Sequence, residues 1–174
     1  MKKLKKAVFA AGCFWGVQYL FDSLEGIIKT TVGYTGGHRE NPTYEEVCAS
    51  TTGHAEAIEI VYDPEKISYE QLVKFFFDIH DFTQIGGQGP DLGIQYRSEI
   101  FYFDEQQRKI AERIKKQLQD KGFDVVTKIT QSSIFWPAED YHQKYYHKKG
   151  EKPYCHYRRN VMDLNDLNFK ISLE

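Results

Sequence analysis

Five short stretches, at 6–10, 26–34, 55–62, 97–103 and 124–130, are rich in β-branched or aromatic residues, are bounded by turn formers and predict strands. Between them the apolar residues recur every three or four positions, the spacing of a helix with one buried face. Residues 14–24 carry Val17, Leu20, Phe21 and Leu24 on one face, and Gly26 follows where a glycine would stop the helix. Thr43-Tyr44-Glu45-Glu46 and Ser68-Tyr69-Glu70-Gln71 have the capping-box pattern, so a short helix should begin at each. The plainest helix covers 104–121: Ile110, Ile114 and Leu118 repeat at four-residue steps, charges fill the other face, and Gly122 ends it. GGQGPDLG at 86–93 is a loop by composition, 138–146 is a short helical pattern, and the tail from Gly150 follows no regular period. Strands alternating with helices predict the α/β (α+β) class, as a two-layer α/β sandwich whose sheet is covered on at least one face by the longer helices. Without repeats or linkers, 1–174 reads as one domain, with a core at about 5–148 and a tail at 149–174.

Composition narrows the function. With 41% hydrophobic and 15% aromatic residues the chain has ample matter for a core, which excludes disorder. A formal net charge of -2 and the lack of a long basic block give nucleic-acid binding by counterion release little support. Cys13, Cys48 and Cys155 are odd in number, widely spaced and without a C-x-x-C pair, which argues against a disulfide framework and against a four-cysteine zinc site. His142 and His147 stand about one helical turn apart, but no third metal ligand is evident, and no metal is expected.

The stretch AAGCFWG at 10–16 poses the chemical question. Lys2, Lys3, Lys5 and Lys6, then Ala7 to Ala11 and Gly12-Cys13, can be read as a lipoprotein signal. The apolar run is shorter than the 7–15 residues that such a signal needs, and folded-looking sequence follows it. No other run is long enough to cross a bilayer, so a soluble, unprocessed, cytoplasmic chain is expected. A strand, a glycine, a cysteine and a helix place the Cys13 thiol at a helix N-terminus, where free N–H groups and the macrodipole favour the thiolate and depress its pKa. The plain alternative is a buried, inert cysteine. Phe14 and Trp15 weigh against it, because two large aromatics in one first turn are poorly placed to be core together, and at least one should face a pocket.

GCFWG at 12–16 resembles the signature of the A-type peptide methionine sulfoxide reductases. GYTGGHRENPTYEEVCASTTGHAEAIEIVYDP at 33–64, GPDLGIQYRSEIFY at 89–102 and FWPAEDYHQKYY at 135–146 are similar to further blocks of that family, in order. The resemblance covers most of the chain up to about Cys155. It implies reduction of methionine-S-sulfoxide, free or in oxidised proteins, with thioredoxin as the reductant and no cofactor. The fold expected is a mixed sheet in a ferredoxin-like plait with a long irregular C-terminal tail. A monomer is expected, with neither nucleic acid nor membrane as partner.

The resemblance also implies roles. Cys13 attacks the sulfoxide sulfur, and the departing oxygen needs a proton. Glu56, in GHAEA, would supply it, its pKa raised by an apolar pocket. Tyr44 and Tyr96 match two phenols that donate hydrogen bonds to the sulfoxide oxygen, as an oxyanion hole does. Asp91 matches a carboxylate at the pocket edge, and Phe14 and Trp15 would hold the substrate methyl group. Oxygen transfer leaves a sulfenic acid on Cys13, which condenses with a second thiol. Cys155 matches the resolving position, in a tail mobile enough to reach Cys13, whereas Cys48 is read as an inert packed thiol. No cysteine follows Cys155, so thioredoxin would reduce a Cys13–Cys155 disulfide. His54, two before Glu56 and on the same side of a strand, could orient the acid. The rivals are a thiol peroxidase, a B-type reductase, a cysteine hydrolase with a histidine base, and a methionine-binding module in which Cys13 is incidental.

Overall fold

A computed structural model of the protein describes residues 3–170; the last four residues of the expected tail lie outside them. The chain runs β1 (Lys5–Ala11), α1 (Phe14–Asp22), β2 (Ile27–Thr35), α2 (Tyr44–Cys48), β3 (Ala55–Tyr62), α3 (Tyr69–Asp78), β4 (Gly87–Gln88), β5 (Asp91–Leu92), β6 (Ser98–Tyr102), α4 (Glu105–Asp120), β7 (Lys128–Gln131), β8 (Trp136–Pro137) and α5 (Tyr145–Lys149). The main sheet has the order β7-β6-β1-β3-β2-β8. β6, β1, β3 and β2 pair antiparallel. With α1 between β1 and β2 and α3 between β3 and β6, they form the split β-α-β plait. The parallel pairing of β7 with β6 makes the sheet mixed.

Alternation along the strands sorts the core. Ala7, Phe9 and Ala11 of β1 and Ile58, Ile60 and Tyr62 of β3 turn to the helical layer, where they meet Val17, Phe21, Leu72, Phe76, Ile114 and Leu118. Val8, Ala10, Ala55 and Ala57 face the other way, onto Phe101 and Phe135. By the same alternation Glu56 points to the helical side, level with Tyr34 on β2.

Both capping boxes form: Thr43 accepts from the Glu46 amide and Ser68 from the Gln71 amide, each with the reciprocal bond. Asp104 caps α4 through the Gln107 amide. Other boundaries move. α1 stops at Asp22 with Ser23 as its cap, and Gly26, at φ +97, serves the turn into β2 instead. The strand expected over 124–130 pairs only from Lys128, because the Val126 amide donates to the Phe82 carbonyl (2.9 Å) instead of a ladder. The loop at 86–93 contains the small β4–β5 hairpin. The helix expected over 138–146 breaks into a turn at 140–142 and α5, with Lys144 left-handed at φ +57. Its cause is the Gln143 side chain, which bonds both the amide and the carbonyl of Val32 (2.9 Å each) and draws the backbone onto β2.

The tail is irregular, as expected, but it is docked. The buried Asp78 carboxylate accepts from Arg158 Nε (2.9 Å) and from the amides of Val161 (2.7 Å) and Met162 (3.1 Å). Leu164 and Leu167 enter the main core, and Phe169 bridges to Leu24. No helix among the described residues is long and apolar enough to cross a membrane.

Candidate active site

β1 delivers Cys13 through a tight turn. Gly12 has φ +93, and a Cβ there would lie 2.6 Å from the Gln88 side chain, so only glycine fits. Cys13 caps α1, and the Phe14 amide at the start of that helix donates to Glu56 Oε1 at 3.2 Å. Glu56 is 1% exposed, and its second oxygen has no partner among the described residues. Burial pushes its pKa up to about 8, nearby Asp91 and Cys155 push it the same way, and the Phe14 amide opposes them. Glu56 is therefore a protonated carboxyl at neutral pH, with its O–H free to serve an incoming group.

The aromatics expected beside Cys13 take unequal places. Phe14 is 1% exposed, packed with Tyr34 (ring centroids 5.8 Å apart), His142 (5.3 Å) and Tyr44 (6.5 Å). Trp15 is half-buried at the edge, stacked 3.8 Å from Tyr145, and its Nε1 donates to His142 Nδ1 at 2.9 Å. Tyr44 and Tyr96 are half-buried and both interact with Glu56. Desolvation, the largest cause, holds both phenols well above their ordinary range, so they are permanent O–H donors. Asp91, on β5, lies at the rim; burial first and the Cys155 charge second raise its pKa.

Four expectations need correction. Cys48 is not merely packed: its thiol is hydrogen-bonded with the Tyr44 and Tyr96 hydroxyls, because α2 ends against the same pocket. His54 does not orient Glu56; it accepts from the Gly37 amide (3.0 Å) and reaches the Arg39 carbonyl (2.7 Å), fastening the loop before α2. The Cys13 thiol is not depressed but raised well above its ordinary value, by its hydrogen bond to Cys155, by burial and by Glu56, which together outweigh the Trp15 amide at the helix start. The low pKa belongs to Cys155, brought down to about 5 chiefly by the Cys13 hydrogen bond and also by His156. All three cysteines are unpaired, and Cys155 stands beside Cys13 by tail docking rather than by mobility.

Other residues of the site were missed. Glu139 holds the pocket together, accepting from the Tyr34 hydroxyl (2.9 Å) and the Tyr44 amide (3.1 Å). His142 is fully buried behind Trp15, whereas His147 turns to Asp22 at 3.2 Å, so the pair separated by one turn serves two places. His156 lies against Cys155, and the bare adjacency of Cys155 and His156 was the one signal in the sequence for it.

Known proteins share this fold and much of this sequence. The model of a family described as peptide methionine sulfoxide reductase matches residues 5–170. The peptide methionine sulfoxide reductase MsrA of Methanosarcina acetivorans is 51% identical over 150 residues, 84% of this chain and 80% of that protein. The crystal structure of reduced Mxr1 from Saccharomyces cerevisiae is similar with a TM-score of 0.81 and 37% identity, covering 90% of this chain and 93% of that one. Mxr1 in complex with Trx2 is similar with a TM-score of 0.60 and 28% identity, over 90% and 91%.

Proposed function

The chain belongs to the MsrA family of peptide methionine sulfoxide reductases, and from that membership we propose that it reduces methionine-S-sulfoxide with Cys13 as nucleophile, Glu56 as acid and Cys155 as resolving thiol. One observation carries the reading: a buried, protonated carboxyl with one unpartnered oxygen stands beside a thiol at the start of a helix. A sulfoxide is reduced only if its oxygen is protonated as the S–O bond breaks, and the raised pKa and the unpartnered oxygen of Glu56 support that role for it. Tyr44 and Tyr96 donate to the same oxygen, and Trp15 offers an apolar wall to the methyl group. Cys13 attacks the sulfoxide sulfur as Glu56 gives its proton to the oxygen; the hydroxyl then passes to the Cys13 sulfur, the transient S–S bond and the S–O bond to the methionine sulfur break, and that sulfur leaves with its electron pair. The proton released by Cys13 restores Glu56. The net change is sulfoxide plus thiol to sulfide plus sulfenic acid.

Cys155 then attacks the Cys13 sulfur, water leaves and a disulfide forms. A dithiol of the thioredoxin class, such as the Trx2 bound to Mxr1, reduces that disulfide. The test is to trap the intermediate. Reduced Cys155→Ser protein mixed with methionine-S-sulfoxide should yield one methionine per chain, with a diketone-trapped sulfenic acid on Cys13 and steady-state turnover stalled. A trapped oxygen on Cys48, or unchanged turnover with thioredoxin, would refute the assignment.

A further inference from the structure

His156 is one of the best-seated polar groups in the tail and has no part in the reaction as written above. It is 3% exposed, and its ring lies over the turn that carries Cys13: a Cβ at Gly16 would come within 2.5 Å of His156 Nδ1, and one at Gly12 within 3.3 Å of Nε2. Nε2 lies 2.7 Å from the Ala11 carbonyl, which can only accept, so Nε2 carries the hydrogen. That fixes the tautomer. Nδ1 of the neutral ring is then an acceptor, and it lies 3.3 Å from Cys155 Sγ. A thiol beside an imidazole whose other nitrogen is oriented by a third group is an activated nucleophile.

We propose that His156 is the base of the resolving step, holding the Cys155 proton on Nδ1 so that Cys155 attacks the Cys13 sulfenic acid as a thiolate. The inference rests on the sulfenic-acid chemistry proposed above. The Cys155–Cys13 S–S bond forms, the Cys13 S–O bond breaks, and the proton held on Nδ1 passes to the departing hydroxide, which leaves as water. His156 ends neutral, and no outside oxidant or reductant is consumed. A side chain at Gly16 would displace the ring, so the glycine there serves the seat of His156. The titratable and charged groups facing the pair are Cys13, Glu56, Asp91, Tyr146, Tyr154 and His80, with Asp81, Tyr157 and Arg159 lining the pocket beside Cys155. Of these, Glu56 stays protonated below about pH 8 and His80 is held neutral by burial, so neither adds a charge change at neutral pH.

The test uses His156→Gln, which keeps an N–H donor within reach of the Ala11 carbonyl and loses the acceptor at the Nδ1 position. Methionine formation and thiol loss are followed after one equivalent of methionine-S-sulfoxide, from about pH 6 to about pH 9. The methionine burst should equal that of the native protein, while disulfide formation slows about a hundredfold near pH 6–7. With disulfide formation timed from the completed methionine burst, because Glu56 itself charges above about pH 8, the gap should close toward pH 9, where an ordinary cysteine ionises unaided. Disulfide formation at the native rate, or slowed by one factor at every pH as mere displacement of the tail would give, overturns the proposal. A native protein without any burst instead overturns the sulfenic-acid reading. Should the Gln variant misfold, Cys155 alkylation in Cys13→Ser decides: reaction already at about pH 6–7 is expected, and a rate rising only near about pH 8.5 overturns the role of His156.

Discussion

Replacing Glu56 with glutamine removes the one acidic proton and changes almost nothing else. The shape is kept, the Phe14 amide can still donate to the remaining carbonyl oxygen, and an amide N–H2 stands where the free O–H was. A shift from the ordinary 4.5 to about 8 makes charging the buried carboxyl cost about 5 kcal/mol. Two consequences follow. In catalysis, loss of a positioned acid should slow methionine formation about a hundredfold or more at pH 7. The reacting state carries the Glu56 proton, so the native rate should fall as pH rises through about 8, and the Gln variant should lack that limb. In stability, the folded protein holds a proton that the unfolded chain loses near 4.5, so the native state binds more protons between 4.5 and about 8 and weakens as pH rises through that window. The Gln variant escapes this, and at pH 8 it should unfold at higher urea concentration than the native protein while being the far slower enzyme. The assays are single-turnover methionine formation and urea titrations at about pH 5 and pH 8. A Gln variant with the native rate, or with the native pH dependence of stability, would refute the argument.

Tyr44→Phe and Tyr96→Phe should each lower kcat while leaving KM little changed, and the double variant, left without a phenol donor to the oxygen, should lose about a hundredfold or more; native kcat in the double variant would exclude both from the reaction. Asp78→Asn should cost about 2 kcal/mol in urea unfolding, because its buried carboxylate accepts from Arg158 and from the Val161 and Met162 amides and an N–H2 group cannot satisfy them all. The same variant should keep its methionine burst, because Asp78 holds the tail and not the substrate; an unchanged denaturation midpoint would show that the tail is anchored elsewhere.

What the sequence made legible was what neighbouring residues decide among themselves. The capping boxes at Thr43 and Ser68, the repeat of Ile114 and Leu118 in α4, and β3 are local patterns, and each stands where the pattern put it. The failures are tertiary. No local rule says that the Val126 amide will prefer the Phe82 carbonyl to a strand partner, or that Gln143 will insert against Val32 and break a helix. The site divides in the same way. Cys13 and Glu56 could be singled out from the motif, but the sharing of protons between Cys13 and Cys155 depends on burial and on a partner 142 positions away. Cys48 read as inert because its neighbours in sequence are apolar, whereas its neighbours in space are two phenols.

The central claim is that Cys13 takes the oxygen of one sulfoxide epimer and that Cys155 resolves it. It is tested most directly by a single turnover of the reduced protein with separated S and R epimers of methionine sulfoxide, counting methionine formed and mapping thiols lost. One methionine per chain should form from the S epimer alone, with Cys13 and Cys155 joined and Cys48 still free. No methionine from either epimer, or a disulfide through Cys48, would contradict it.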